Sequence, residues 1–511
     1  MEQRSDHLLV LVHGLWGNAS HFDYITRAID QFYTYDDLAE RRKARDVYVE
    51  EDDERTTHSD HEKDVLSIVE SVKELRESGK LAKNSKYRKP YVLVTRSNEG
   101  YFTYDGIDMC GEKVADEIEQ ALESYERLNI PINKISVVGY SLGGLMARYA
   151  IGILYQKGIF KKITPVNFTT FCTPHVGVRA PGKDLPTTLF NTLVPRTISA
   201  TGRQLFMLDK FSTSSMPLLC FLADKSSIFY HALTLFPNRS LYANIANDRR
   251  TSWFTAAISH TDPFLDLHNV VLNPLPGYGP TILDVANPVT RKNISDMQQH
   301  ITYSAHDPLS DVSGGGLTVG VRARAKQLSI LPGLCKSLIV MIINLCFISP
   351  VWVLAFLISG TIQTFYSSRR LREFHTRKKG RLGLDEFRLL RLDEQVEDVV
   401  DTVLGDFIPY SISHSLVDNL VCESSDDDDD DGSDSEEAKG PRHYHVEPLD
   451  LTDDQNKMIR SLNSLEWHKF PVQITKTKAA HAAVIVRHMD WKGMEEGEVV
   501  ICHWLNEILQ V

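Results

Sequence analysis

Residues 139–143 read Gly-Tyr-Ser-Leu-Gly, a G-x-S-x-G pattern. A serine hydroxyl becomes a useful nucleophile when a base takes its proton and nearby donors receive the negative charge that develops. The surroundings give the pattern its meaning. Ahead of it the apolar run 135–140 (ISVVGY) reads as a buried strand, and behind it 142–155 (LGGLMARYAIGILY) reads as a helix. Strand, glycine-flanked serine and helix together predict a nucleophile elbow, with Ser141 held on a sharp turn above a sheet edge. Small residues at 139 and 143 would let strand and helix backbones approach. The chemistry is acyl transfer through a covalent acyl-serine. One oxyanion-hole donor should be the N–H of Leu142, next after the nucleophile. The other should come from the loop reading Val12-His13-Gly14-Leu15-Trp16-Gly17, where Gly14 permits a tight turn and the Leu15 N–H is the better placed candidate. His13, ahead of the glycine, is expected to be structural.

Such groups need a sheet to hold them. Residues 7–12 (HLLVLV), 91–95, 135–140, 166–171, 218–222 and 241–245 read as strands, with helices over 22–32, 111–128 and 142–155. This βαβ alternation predicts an α/β fold, a mainly parallel sheet with helices on both faces. The charged stretch 36–89 reads as helix plus surface loop. The pattern stops after about residue 300 and resumes near 446, with a strand at 470–474, a helix at 479–486 and a strand or helix end at 499–508. The expected organisation is a core in two parts, 1–305 and 446–511, around an insertion at 306–445. Within the first part, 177–216 reads as loop-like, and Leu185, Leu189, Phe190, Leu193 and Val194 would make it a lid or acyl-chain wall.

Three segments, LVLVHGLWGN, VVGYSLGGLMARYA and TTFCTPHVG, resemble the serine esterase family of lipase-like α/β-hydrolases. Within it they are similar to the fungal lipid-droplet phospholipases, over roughly residues 5–260 and 465–511. The resemblance implies an α/β-hydrolase fold and a triad in the chain order Ser…Asp…His. It places the acid at Asp248, after the strand-like LYANIAN, and the base at His481, in KAAHAAVIVRH. It implies that His175, in TPHVG, is pocket wall. Asp224, after PLLCFLA, also sits at an expected strand end and stays open as the acid. His488 lies on the same helical face as His481 and reads as a supporting or surface residue, with His503 and His468 as structural alternatives.

Between Lys336 and Arg369 the chain carries no charged residue. As one helix, 337–368 would reach about 45 Å against a hydrocarbon core of about 30 Å. Pro350 divides it into two shorter arms, each able to enter one leaflet. Basic residues flank both ends, and a single span would leave His481 across the membrane from Ser141. A re-entrant hairpin is therefore expected, with both ends on the cytosolic side. The following stretch, 369–391, is locally +6 and suits anionic headgroups, while 423–437 holds ten acidic residues and reads as a disordered linker.

The net charge of −12 thus describes mainly that linker, since −2 remains without its ten acids. An acidic balance argues against a nucleic-acid partner. The seven scattered cysteines form no C-x-x-C pair, which argues against a disulfide framework or zinc site and for a reducing compartment. The run 8–12 is too short for a signal h-region, so secretion by a cleaved signal is not expected. Together these readings predict a serine hydrolase cleaving lipid carboxylic esters at the cytosolic face of a membrane, a lipid droplet or the endoplasmic reticulum. The family resemblance favours glycerophospholipid deacylation first and acylglycerol hydrolysis next. No cofactor or metal is expected, and the sequence is silent on oligomeric state. Thioesterase or acyltransferase activity on the same triad, or a catalytically silent membrane scaffold, are the competing readings.

Overall fold

The computed structural model describes residues 4–34, 89–182, 184–211, 216–267, 269–291, 349–377 and 446–511. The expectations for 36–88, for the first arm of the hairpin, for most of the basic stretch and for the acidic run fall outside these residues.

Strand β1 (Arg4–Val12) shows why a two-faced sheet forms. Leu8, Val10 and Val12 are buried in one core and Leu9 and Leu11 in another, because successive side chains leave a strand on opposite sides. A run apolar at every position, as 8–12 is, has to be covered twice. Around β1 the sheet adds β2 (Lys89–Val94) on one side and β3 (Lys134–Tyr140), β4 (Thr164–Phe171) and β5 (Asn238–Asn244) on the other. A short antiparallel pair, β6 (Val270–Leu272) with β7 (Val289–Arg291), lies apart. The last strand, β8 (His468–Val472), then pairs with β5 across more than two hundred residues of chain. The order is β2-β1-β3-β4-β5-β8, every pair parallel. Pro471 is tolerated because β8 is an edge strand, where a missing N–H costs no ladder bond. The order in which strands are added reverses at β1, between β2 on one side and β3 on the other, and such a switch point opens a crevice at the strands' carboxyl ends.

The first core is roofed by α2 (Ile107–Arg127) and α3 (Leu142–Gln156); the second takes α1 (Asp23–Thr34). The segment expected to be loop-like is mostly helical, with α4 (Leu185–Thr197) and α5 (Ser199–Leu205). Its leucines at 185, 189 and 193 share one exposed helix face, while Phe190 and Val194 turn to the core. Asp184 caps α4 by accepting the Thr187 N–H at 3.0 Å. The strand expected at 218–222 is instead α6 (Leu218–Ala223), since an apolar run this short fits a buried helix as well as a strand. Pro217, immediately before it, suits a helix start.

Further along come α7 (Ile228–Thr234), α8 (Trp253–Ala256), α9 (Ser349–Arg377), α10 (Asp453–Leu462), α11 (Ala480–Ala483) and α12 (Glu495–His503). The last of these, continued by a π turn, shows 499–508 to be helical, and its Val499 and Val500 complete the second core. The expected helix at 479–486 is the single turn α11 followed by turns. Pro350 stands in the first turn of α9, where its missing N–H is not needed. From there the helix runs unbroken past residue 368 to Arg377. Among the described residues no helix is long and apolar enough to cross a membrane.

Two buried histidines, one between strands and one between α12 and β5, make their bonds in the neutral form. Between β1 and β3, His7 shares a 2.8 Å hydrogen bond with Ser136, and burial, with Lys134 nearby, lowers its pKa to about 4. Burial lowers His503, bonded to the Tyr242 hydroxyl, to about 3. In the unfolded chain both would protonate near about 6.5. The unfolded state therefore binds more protons below that value, so stability is complete above it and falls as pH drops towards about 4. Thermal unfolding followed by circular dichroism should show the midpoint falling across this window, with a shallower fall in His7→Gln. A midpoint equally steep in wild type and variant would contradict the assignment.

Candidate active site

Strand β3 ends at Tyr140 and α3 begins at Leu142, leaving Ser141 alone on the turn with φ 55° and ψ −129°. A non-glycine residue here is strained, and such strain persists only where the surroundings over-determine it. The close approach of α3 is what does so. A Cβ on Gly139 would lie 2.3 Å from the Gly144 Cα, and one on Gly143 would lie 2.1 Å from the Val12 carbonyl oxygen. Gly139 therefore admits the helix to its own strand, while Gly143 admits the end of β1. Across that gap Gly14 abuts the nucleophile, its own Cβ position being 3.3 Å from Ser141 Oγ. The loop that carries Leu15 therefore lies against Ser141, and Leu142 opens α3 immediately after it.

The structure brings Ser141, Asp248 and His481 together from three separate chain segments. His481 Nε2 is 2.9 Å from Ser141 Oγ, and its Nδ1 is 2.9 Å from Asp248 Oδ2. Asp248 also accepts the Arg250 and Thr251 N–H groups at 3.0 and 2.9 Å and the Asn244 amide at 3.0 Å. Burial pushes this carboxyl upward, but His481 and the two backbone donors outweigh it and hold the pKa below the ordinary carboxylate range. An ionised Asp248 requires Nδ1 to donate, which leaves Nε2 free to accept the serine proton.

Each triad residue is fixed by its neighbours. The Tyr140 hydroxyl donates to the His481 carbonyl at 2.9 Å, tying the elbow to α11. The Asn247 amide reaches the Ile474 carbonyl, joining the acid loop to the strand end that leads to His481. Glu496, at the start of α12, accepts the Thr475 and Lys476 N–H groups at 2.8 and 3.0 Å and steadies the same approach.

The other candidates lie elsewhere. Asp224 accepts the N–H and hydroxyl of Ser226 and turns the chain into α7, away from Ser141. His13 is buried with Nδ1 against the Gly14 carbonyl. His175 is buried too, bonded to Thr170 and packed edge-on against Trp467. His488 stacks on Trp491, His503 meets Tyr242, and His468 is exposed at the start of β8. One neighbour was not anticipated. Cys172, at φ 47°, places its Sγ within 4.8 Å of the Asp248 and His481 donor atoms. Burial, then Asp248, pushes its thiol well above the ordinary range, so it is a neutral neighbour of the acid. Its position just past β4, on the same sheet edge as Ser141, is the feature that could have singled it out.

The sheet order, the elbow after β3 and the crevice at the switch point define an α/β-hydrolase. The chain belongs to the family described as "Putative serine esterase (DUF676)", whose pattern matches residues 2–260. It is similar to the "Putative lipase C4A8.10" of Schizosaccharomyces pombe, 31% identical over 208 residues, 40% of this chain and 25% of that protein. It is likewise similar to the "Putative lipase ROG1" of Saccharomyces cerevisiae, 30% identical over 241 residues, 46% of this chain and 32% of that protein. The chain thus spans a quarter to a third of the length of these relatives.

Asp248 and Asp224 are separable by experiment. Asp248→Asn should lower kcat on a soluble ester by about 10⁴, the scale expected when the histidine loses its orienting carboxylate. Asp224→Asn should leave it within about twofold, as for a surface turn residue. Steady-state kinetics on both purified variants decides, and the reverse pattern would move the acid to Asp224.

Proposed function

We propose that this serine esterase and lipase family member hydrolyses carboxylic esters of lipids, glycerophospholipids foremost, through an acyl-enzyme. The observation that carries the reading is the continuous 2.9 Å relay from Ser141 through His481 to Asp248. Ser141 Oγ attacks the ester carbonyl while its proton passes to His481 Nε2, and Asp248 stabilises the resulting imidazolium. The carbonyl oxygen becomes an anion facing the Leu142 and Leu15 N–H groups. Collapse breaks the C–O bond, and His481 returns its proton to the departing alcohol. Water, deprotonated by His481, then attacks the acyl-serine and releases the fatty acid.

Two features favour a lipid. The exposed leucine stripe of α4, on the segment after β4, offers an apolar surface at the same end of the sheet. Arg250, two residues beyond the triad acid, stands over the Trp16 ring at 5.8 Å, beside the oxyanion loop. A cation there suits a phosphodiester headgroup better than a neutral acylglycerol. The setting that fits these features is a membrane or lipid-droplet surface reached from the cytosol, with 337–368 as the anchor and the basic residues after it meeting anionic headgroups.

Purified protein incubated with mixed vesicles of phosphatidylcholine and phosphatidylserine should release free fatty acid and lysophospholipid, detected by mass spectrometry. Triacylglycerol emulsions should yield less, and Ser141→Ala should yield nothing from either. Fatty acid released only from acylglycerols would replace the phospholipid assignment, and equal release by Ser141→Ala would remove the nucleophile.

A further inference from the structure

Helix α9 approaches the catalytic unit along a turn that the proposed reaction does not use. Its inward face carries Gly360 against the Thr197 backbone and a buried Ser367 that donates to the Tyr104 carbonyl at 3.2 Å. One turn on, Arg370 reaches Asp105 with two nitrogens, Nε at 3.0 Å and Nη2 at 2.7 Å, its guanidinium over the Phe102 ring at 5.1 Å. The Asp105 side chain is wholly buried, with Lys113 at 3.4 Å as a second cation. A buried carboxylate is stable only while paired, so this contact fixes the helix in one seat.

The turn it grips, the 3₁₀ helix Gly100–Asp105, is held on its other side by the oxyanion loop. The Trp16 N–H donates to Thr103 Oγ1 at 3.1 Å, the Gly100 N–H donates to the Gly17 carbonyl at 2.9 Å, and the Tyr104 ring packs on Trp16. Trp16 sits at φ 55°, a conformation its neighbours must impose. The Leu15 amide immediately precedes it.

The outward face of α9 points to the other partner. Ile358, Ile362 and Phe365, spaced a turn apart, are 52%, 48% and 63% exposed. The same stripe continues with Arg369, paired to Glu373, and Arg372, bonded to the Ser368 carbonyl. Apolar turns followed within about 6 Å of helix axis by basic ones match hydrocarbon followed by headgroups. The sequence leading into α9 carries no charged residue back to Ser337. This order favours a lipid surface over a protein partner.

We propose that α9 couples a lipid surface to the oxyanion loop: its outer stripe meets the lipid, and Arg370, seated on Asp105, is the positioning residue that carries the helix's placement to Trp16 and Leu15. The coupling rests on the reading of Ser141 as the nucleophile of a lipid esterase. Three measurements on the full chain test it. Arg370→Ala should raise amide hydrogen exchange in 13–17 and 100–106 and lower kcat on a soluble nitrophenyl ester about tenfold at unchanged KM, the cost of a small displacement of a catalytic donor. Arg370→Lys should recover part of both. Phe365→Glu, with its melting temperature preserved, should reduce flotation with phosphatidylcholine–phosphatidylserine vesicles about tenfold, a loss matching one aromatic no longer buried. Unchanged exchange and kcat in a folded Arg370→Ala would overturn the coupling, and unchanged flotation of Phe365→Glu would overturn the lipid contact. If wild type hydrolyses no ester, the proposed function fails, while exchange and flotation still judge whether α9 is keyed to the loop and to lipid.

Discussion

The close approach of α3 to the ends of β1 and β3 is the contact on which the rest of the structure depends. Any side chain at Gly139 or Gly143 would occupy the space of backbone atoms 2.3 Å or less away. That contact forces Ser141 to positive φ and presents its hydroxyl above the sheet. It also draws the loop after β1 against the nucleophile, so the elbow and the expected oxyanion hole share one cause. The switch in strand order between β1 and β3 supplies the crevice into which both open.

Completing the site requires chain that returns from far away. The β5–β8 pairing brings the C-terminal segment to the sheet edge, and the bonds from Tyr140 and Asn247 place His481 between Ser141 and Asp248. Polar contacts buried beside the sheet, such as Trp504 with Thr169 and Tyr242 with His503, bind this segment as firmly as an internal layer. On the opposite flank α9 is seated by an ion pair whose acid has no access to water. The C-terminal segment thus meets the elbow and the acid loop directly, while α9 meets the 100–105 turn that bonds to the loop after β1.

Much of this was legible in the residues themselves, and the failures have physical reasons. Short runs that are wholly or almost wholly apolar, such as LLVLV and ISVVG, read as central, doubly covered strands, so the parallel sheet followed directly from them. The elbow was readable because strand, small residues and helix must all be present at fixed spacing. Asp248 and His481 were reached through family resemblance, since nothing local separates them from other acids and histidines at element ends; their union is a property of strand pairing. Residues 218–222 read as a strand yet form a helix because a short apolar run has no period of its own. The helices within 177–216 were hidden by proline, glycine and threonine, although the fourfold spacing of Leu185, Leu189 and Leu193 was present in the chain. Arg370 on Asp105 joins positions 265 apart, and no local pattern announces such a pair.

The central claim is that His481 activates Ser141 for attack on an acyl carbonyl. The most direct test is the rate of covalent modification by a fluorophosphonate, with the adduct located by peptide mass spectrometry. Wild type should carry a single adduct on Ser141, formed at a rate that falls by orders of magnitude in His481→Ala while the protein remains folded. An adduct on another residue, or modification of Ser141 at the same rate without His481, would contradict the account.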